Sequence, residues 1–176
     1  MDFLNAEIDV NTLPKAESVN FRPVEKDYLK ILRIEWLITI IALGIIAAAL
    51  FFFIKNLRNS TYLVIIAITL VIFAVSWFLI QTKSFIYRGY AIREEDIIYR
   101  SGWIIRKIST SPFNRIQHSN VSTGPLERRY GLATLIIYTA GTDDADLRIS
   151  GLKEEEAYTI KTWITQKISD ERKSMG

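Results

Sequence analysis

Two long apolar runs dominate the hydropathy pattern of this chain. The run from Trp36 to Ile54 has 19 residues without a charge, and Thr61 to Ile80 adds 20 more after a six-residue loop. Because a helix rises ~1.5 Å per residue, the first run would extend over roughly 28 Å, close to the ~30 Å hydrocarbon core of a bilayer. The pattern therefore predicts a transmembrane α-helical hairpin at residues 36–80, with helices at 36–54 and 61–80.

Basic residues next to the two runs predict how the hairpin is oriented. Lys55 and Arg58 are the only basic residues of the connecting loop, whereas eight flank the outer ends. These eight are Arg22, Lys26, Lys30, Arg33, Lys83, Arg88, Arg93 and Arg100. Lysine and arginine concentrate on the cytoplasmic side of membrane helices. We therefore expect a multi-pass protein of the cytoplasmic membrane with both termini in the cytoplasm.

The segment before the hairpin, residues 1–35, is predicted to be a cytoplasmic tail that ends in a juxtamembrane helix. Residues 1–20 are mostly polar and show neither a helical nor a strand period. From Arg22 to Glu35, charges of alternating sign are interleaved with apolar residues, which favours a helix at the membrane surface with Pro23 near its start. Within the first span, Gly44 and Ala48 form a small-xxx-small pair of the kind that permits close helix contacts.

Beyond Lys83 the pattern changes to short β-branched and aromatic runs separated by turn signals, which is typical of an antiparallel β domain. Ser101-Gly102 is a signal for a two-residue hairpin turn. The predicted strands are Phe85–Arg93, Ile97–Arg100, Trp103–Ile108, Ile116–Thr123, Ala133–Thr139 and Leu147–Ser150. The following helix, Glu154–Glu171, has an apolar stripe and three glutamates in its first turn. Residues 83–171 are thus predicted to form one domain of about six or seven strands closed by an amphipathic C-terminal helix.

Composition excludes several classes of chemistry. The absence of cysteine rules out disulfides, thiolate nucleophiles and zinc ribbons. His118 is the only histidine, and without cysteine it cannot complete a triad or a zinc site built on His and Cys. Its alternation with Ile116 favours a position in or beside a strand surface. A calcium loop starting at Asp144 fails, because Arg148 and Ile149 stand where a ligand and a glycine are required.

We therefore predict no catalytic residues, no metal site and no cofactor. Glu94-Glu95-Asp96 is interpreted as an exposed hairpin tip rather than a catalytic pair. The net charge of +3 is partly the excess of basic residues beside the membrane, so it is weak evidence for nucleic acid, and we expect no nucleic-acid partner.

Beyond the membrane flanks, basic residues concentrate at Arg115, Arg128 and Arg129, with Arg106 and Lys107 nearby in sequence. Guanidinium groups pair well with phosphate or carboxylate, which favours an anion or partner site. A solvated or membrane-facing surface is the competing interpretation. No glycine-rich phosphate loop accompanies these residues, which weakens a nucleotide site.

Several motifs give the chain a family resemblance. They are Pro112-Phe113-Asn114-Arg115-Ile116-Gln117, Gly124-Pro125-Leu126-Glu127-Arg128, Tyr130-Gly131-Leu132, Thr139-Ala140-Gly141, Ile149-Ser150-Gly151-Leu152 and Glu156-Ala157, with Phe21-Arg22-Pro23-Val24 and Trp36 before them. From Phe21 to about Ile168 the chain resembles the bacterial membrane-anchored pleckstrin-homology-like (PH-like) family, in particular its YdbS-like branch with two spans before one domain. Ser111 departs from the family, which usually has an aliphatic residue before this proline.

The resemblance implies a membrane hairpin plus a mainly-β (α+β) PH-like domain, an antiparallel β-sandwich or partly open barrel capped by the C-terminal helix. It also implies no catalysis and frequent association with a larger relative that has several such domains. We therefore predict a non-enzymatic integral membrane protein that presents a cytoplasmic PH-like module for protein interaction or membrane-associated assembly.

The predicted functional surface is Pro112–Gly131. Its residues of interest are Arg115, Gln117, Glu127, Arg128 and Arg129. Besides the bilayer, the expected partner is a membrane protein, with the larger relative and a second copy of the chain as candidates. The alternative function is binding of anionic lipid head groups. A role in transport is disfavoured, because neither span contains an ionisable residue.

Overall fold

The computed structural model describes residues 19–54, 60–140 and 147–174. Two long helices, α1 (Tyr28–Phe53) and α2 (Ser60–Tyr87), carry the apolar runs. Both are long and apolar enough to span a bilayer, and neither has a buried residue within its most apolar window. A core helix of a soluble protein would be mostly buried, so these helices are suited to lipid. Most of the connecting loop at 55–60 and of the irregular tail at 1–20 lies outside the described residues, and so do residues 141–146.

Trp36 joins the two helices near the end that adjoins the domain. Its Nε1 donates a hydrogen bond to the Ala74 carbonyl at 3.0 Å, and its ring packs edge-on against Phe78 with centroids 5.4 Å apart. Gly44 does not make the close helix contact that its spacing with Ala48 allowed, since a Cβ placed there would have no atom within 4 Å. Aromatic packing and one side-chain hydrogen bond therefore connect α1 to α2.

The structure corrects two predicted boundaries, the start of α1 and the end of α2. The residues around Pro23 form a short strand, β1 (Arg22–Pro23), so the helix begins later, at Tyr28. The strand predicted at 85–93 is only β2 (Gly89–Ile92), because α2 extends to Tyr87. Extending an existing helix costs far less than starting a new element, so the helix overrides the β propensity of its last residues.

The described residues contain seven antiparallel strands, which form two sheets. The remaining elements are β3 (Asp96–Ser101), β4 (Lys107–Pro112), a 3-10 turn (Phe113–Arg115), β5 (Ile116–Ser122), α3 (Pro125–Arg129), β6 (Leu132–Thr139), β7 (Leu147–Lys153) and α4 (Glu154–Ser174). The first sheet has the order β1-β2-β3-β4 and the second has the order β5-β6-β7. Over the residues that the structure describes, the two sheets do not close into a barrel. The predicted fold class, a membrane hairpin plus an α+β domain of about seven strands, is confirmed.

The two-residue turn predicted at Ser101-Gly102 is wrong. Ser101 pairs with Lys107, which leaves a five-residue loop, Gly102–Arg106. Gly102 has a φ of +85°, and a Cβ on it would lie 2.0 Å from the Ile105 carbonyl oxygen. The chain therefore folds back on the glycine itself, and no strand in the described ranges pairs with Trp103–Ile105 despite their β propensity.

The core of the domain lies between α4 and the sheets. Three positions of the predicted α4 stripe, Ala157, Ile160 and Ile164, are buried in it. Trp163 lies at the rim, 39% exposed, with its ring 5.0 Å from that of Phe113 in an edge-on contact. Val24, Ile31 and Leu32 from the N-terminal segment are also buried.

Candidate interaction surface

The part of α1 that precedes its apolar run is fastened to the β-rich domain through Tyr28. Its ring lies against Gly151, where a Cβ would be 2.7 Å from the Tyr28 Cγ. Arg88, which follows α2, donates a hydrogen bond to the Tyr28 hydroxyl at 3.1 Å, and its guanidinium lies 5.4 Å from the ring centroid. The Glu25 N–H also donates to the Gly151 carbonyl at 2.9 Å. These contacts fix the domain relative to the point where both helices leave the apolar region.

The first sheet has one end near α2 and one end away from it. β2 begins two residues after α2 and runs away from it, and β3 returns. Near the returning end, the Arg100 Nε donates to the Tyr87 carbonyl at 3.1 Å. The turn at Glu94-Glu95 lies at the far end, about 17 Å along the six-residue strand.

Glu127 has an internal structural role at the start of α3. Its carboxylate accepts a hydrogen bond from the Gly124 N–H at 2.8 Å and another from the Thr134 hydroxyl at 2.6 Å. Pro125 occupies the first turn, where its missing N–H costs nothing. Glu127 is half-buried, whereas Arg128 and Arg129 are exposed at the end of the helix. Of the three, the two arginines are the groups free to meet a ligand.

Helix α3 lies beside the part of α1 that precedes the apolar run. The Lys30 ammonium is 5.9 Å from the ring centroid of Tyr130, the residue that follows α3. A cavity of about 470 Å³ separates the two helices. Its lining includes Ile31 and Glu35 of α1, and Leu126 of α3. Lys30 is six residues before Trp36, about 9 Å along the helix, so α3 lies close to the membrane boundary.

Arg115 and Gln117 lie at the opposite end of β5 from α3. Both are exposed, and Gln117 is separated from Ser122 by about 17 Å of strand. A shift of register between Ile116 and His118 marks a bulge that places Gln117 and His118 both in solvent. The fold thus places the predicted residues at the two ends of β5 and does not gather them into one pocket.

β5 is an edge strand of the second sheet. Within the described parts of the chain only β6 pairs with it. Its exposed side chains are polar, and His118 stacks on Tyr138 with ring centroids 4.3 Å apart and planes 17° apart. The predicted position of His118 on a strand surface agrees with this arrangement. An edge strand presents unpaired backbone groups, which are suited to pairing with another chain.

A second groove, of about 630 Å³, lies between α4 and the N-terminal segment and was not foreseen. Tyr90 donates a hydrogen bond to the Glu156 carboxylate, and the Arg22 guanidinium is 3.9 Å from the same oxygen. Burial, and then the bond to Glu156, raise the pKa of Tyr90 above its ordinary range. Tyr90 and Glu156 are 66 positions apart, and no local pattern predicts their contact.

A metal ion in a protein is held by several His, Cys, Asp or Glu side chains that lie close together. In the described ranges, no three His, Cys, Asp or Glu side chains are grouped in this way. The aspartates at 143, 144 and 146, which include the start of the calcium loop rejected above, lie outside those ranges.

The fold and its two apolar helices define a membrane protein with a PH-like module. The chain belongs to the Bacterial PH domain family, whose model matches residues 29–168. It is also 35% identical over 77 residues to the transmembrane protein YdbS of Bacillus subtilis (strain 168). That match covers 44% of this chain and 46% of YdbS, so it spans about half of either protein. No solved structure matches the chain. The resemblance to a YdbS-like membrane PH family is confirmed.

Proposed function

We propose that this membrane protein is a non-enzymatic adaptor, which binds another protein through the face formed by β5 and α3. This β5–α3 face consists of the exposed residues of the edge strand, with Arg115 and Gln117 at one end and Arg128 and Arg129 at the other. The edge position of β5 is the observation that carries the proposal, since an edge strand can pair with another chain and the exposed side chains of β5 are polar.

The dimensions of the β5–α3 face favour a protein over a small anion. Arg115 lies before β5, whereas Arg128 and Arg129 lie after it. The strand between Gln117 and Ser122 is already ~17 Å long, which is more than a single phosphate spans. A typical protein interface buries roughly 800 Å² on each partner, enough to cover both ends. Glu127 contributes indirectly, because its two internal hydrogen bonds hold α3 in place.

A membrane-anchored partner suits this face best. Tethering two proteins in one membrane raises their effective concentration, so a contact that is weak in solution would still be occupied. The larger relative implied by the family resemblance is one candidate, and a second copy of the chain is another. We place the face in the cytoplasm, with residues 1–35 as tail and juxtamembrane helix, 36–80 as membrane hairpin and 83–171 as PH-like domain.

Site-specific photo-crosslinking in native membranes tests the proposal. A photoreactive residue at Gln117 or Arg129 should form protein adducts, whereas the same residue at Arg148, exposed on β7, should form few. Replacing Arg128 and Arg129 by Glu should abolish the adduct at Gln117, while Arg148→Glu keeps it. Equal adducts at all three positions, or adducts that survive the charge reversal, would contradict the proposed face.

Binding of anionic lipid head groups is the second candidate function. The observation in its favour is the position of α3 beside Lys30 and Glu35, which brings Arg128 and Arg129 within reach of the membrane surface. Basic residues at such a surface attract anionic lipids. Lipid adducts at Arg129 together with no protein adducts at Gln117 would favour this function over protein binding.

A further inference from the structure

The loop between β3 and β4 exposes more apolar surface than its surroundings explain. Ile105 is 82% exposed and Ile104 is 68% exposed, with Trp103 and Ile108 at 38% each. Phe53, the most exposed large apolar residue of the lipid-suited helices, reaches 80%. An apolar cluster this exposed on a soluble surface marks an interaction site.

The position of the loop identifies what covers it. In β3, Arg100 pairs with Gly89, the first residue after the α2 connection, so the loop beyond Ser101 extends back toward α2. The Arg106 guanidinium lies 5.1 Å from the ring centroid of Tyr87, the last residue of α2. Tyr87 is seven residues beyond Ile80, about 10 Å along the helix, and head groups extend roughly 5–8 Å beyond the hydrocarbon. Tyr87 therefore lies about 2–5 Å outside the head-group layer, and the loop that extends back toward α2 is within reach of the lipid head groups.

The two tips of the same sheet differ in chemistry as this position requires. The tip beside α2 carries Trp103, two isoleucines and then Arg106 and Lys107, while the tip about 17 Å away carries Glu94 and Glu95. Tryptophan and basic residues are favoured at the membrane interface, where the ring meets the acyl boundary and the cations meet anionic head groups. The acidic residues, Glu94 and Glu95, are at the tip that lies away from α2.

We propose that the β3–β4 loop, Gly102–Arg106, inserts into the bilayer that holds α1 and α2 and so fixes the PH-like domain against the membrane. This lipid contact is separate from the β5–α3 face and does not depend on it. Docked in this way, the domain is held both by the Tyr28–Gly151 contact and by the loop.

A fluorescent reporter in the full chain tests this proposal directly. The chain has no cysteine, so Ile104→Cys labels the loop and Glu94→Cys labels the opposite tip as a matched control. In nanodiscs of phosphatidylcholine and phosphatidylglycerol, an environment-sensitive label at 104 should emit at shorter wavelength. Lipids with a quencher near the top of the acyl chain should quench it severalfold more than the label at 94. Equal quenching at the two positions would overturn the proposal.

The apolar side chains themselves are tested with a label at Trp103→Cys. Ile104→Asp with Ile105→Asp should reduce quenching to the level of the label at 94, whereas Ile104→Leu with Ile105→Leu should keep it. Unchanged thermal midpoints would show that both variants are folded, as expected at such exposed positions. Quenching that persists in the aspartate variant would contradict insertion. A label shielded from water but not quenched by lipid would mean that a protein covers the loop, which also overturns the proposal.

Discussion

Ser111 is buried in β4, with 3% of its surface exposed, and its hydroxyl has no hydrogen-bond partner among the described residues. A buried polar group without a partner costs roughly 1–3 kcal/mol. Ser111→Ala should therefore raise the stability of the domain by about 1 kcal/mol, which corresponds to roughly 4–8 °C in thermal midpoint. Ser122→Ala, at an exposed position of β5, is the control and should change little. A lower midpoint for Ser111→Ala would contradict this explanation.

Glu127 links the start of α3 to β6. Glu127→Ala removes both the Gly124 and the Thr134 hydrogen bonds, and bonds to a charged group contribute about 1.5–3 kcal/mol each. We expect faster hydrogen exchange in α3 and a lower midpoint of unfolding. Arg128→Ala, which changes an exposed neighbour, should leave exchange in α3 almost unaltered. Loss of partner binding in Glu127→Ala without any change in exchange would instead make Glu127 a direct contact.

Because of Tyr90, the stability of the domain should fall as the pH becomes alkaline. Burial favours the neutral phenol in the folded state, which raises its pKa above the ordinary value of 10.0. This contribution is complete below pH 10.0 and is lost as the pH rises above it. In Tyr90→Phe, the free energy of unfolding should therefore fall less steeply between neutral and strongly alkaline pH. Some slope should remain, because burial also raises the pKa of Tyr99. Identical slopes in denaturant titrations of the two proteins would refute the assignment.

At the scale of elements, the contact between α1 and β7 depends on Gly151. This glycine has a φ of +81°, and a Cβ would meet the Tyr28 ring at 2.7 Å. Gly131 also has a positive φ, +63°, but a Cβ there would meet nothing within 4 Å. Gly131→Ala should cost only the backbone penalty of about 1–2 kcal/mol, while Gly151→Ala should cost more and separate Tyr28 from the domain. Thermal unfolding and crosslinking between α1 and β7 measure the two effects, and equal losses in both variants would contradict the role of the Tyr28 contact.

For the whole molecule, the charge asymmetry predicts that both termini are cytoplasmic. Single cysteines at Asn56, in the connecting loop, and at Glu94, in the domain, should differ in intact cells. An impermeant thiol reagent should label the first and spare the second until the cells are opened. Labelling of Glu94→Cys alone would reverse the orientation.

The apolar runs, the β-rich domain and the amphipathic α4 follow from the sequence, because each depends on local periodicity. The bounds of α2 and β2 do not, since a helix that starts in the apolar run continues through residues with β propensity. Local propensity also failed at Trp103–Ile105, which the sequence predicts as part of a strand. These residues suit a sheet, and the chain's return onto Gly102 leaves them unpaired in the β3–β4 loop.

The sequence determined the membrane class, the family and the identity of the exposed arginines, which need no long-range contact to be read. Only the tertiary structure decided which residues contact one another and where the exposed groups lie. It placed Glu127 in the cap of α3, and it separated Arg115 from Arg128 and Arg129 by the length of the edge strand β5. It joined Tyr90 to Glu156 and brought the apolar loop to the end of α2. Each of these depends on pairing between residues far apart in the chain, and the register and packing that create such pairs leave no periodic trace in the sequence.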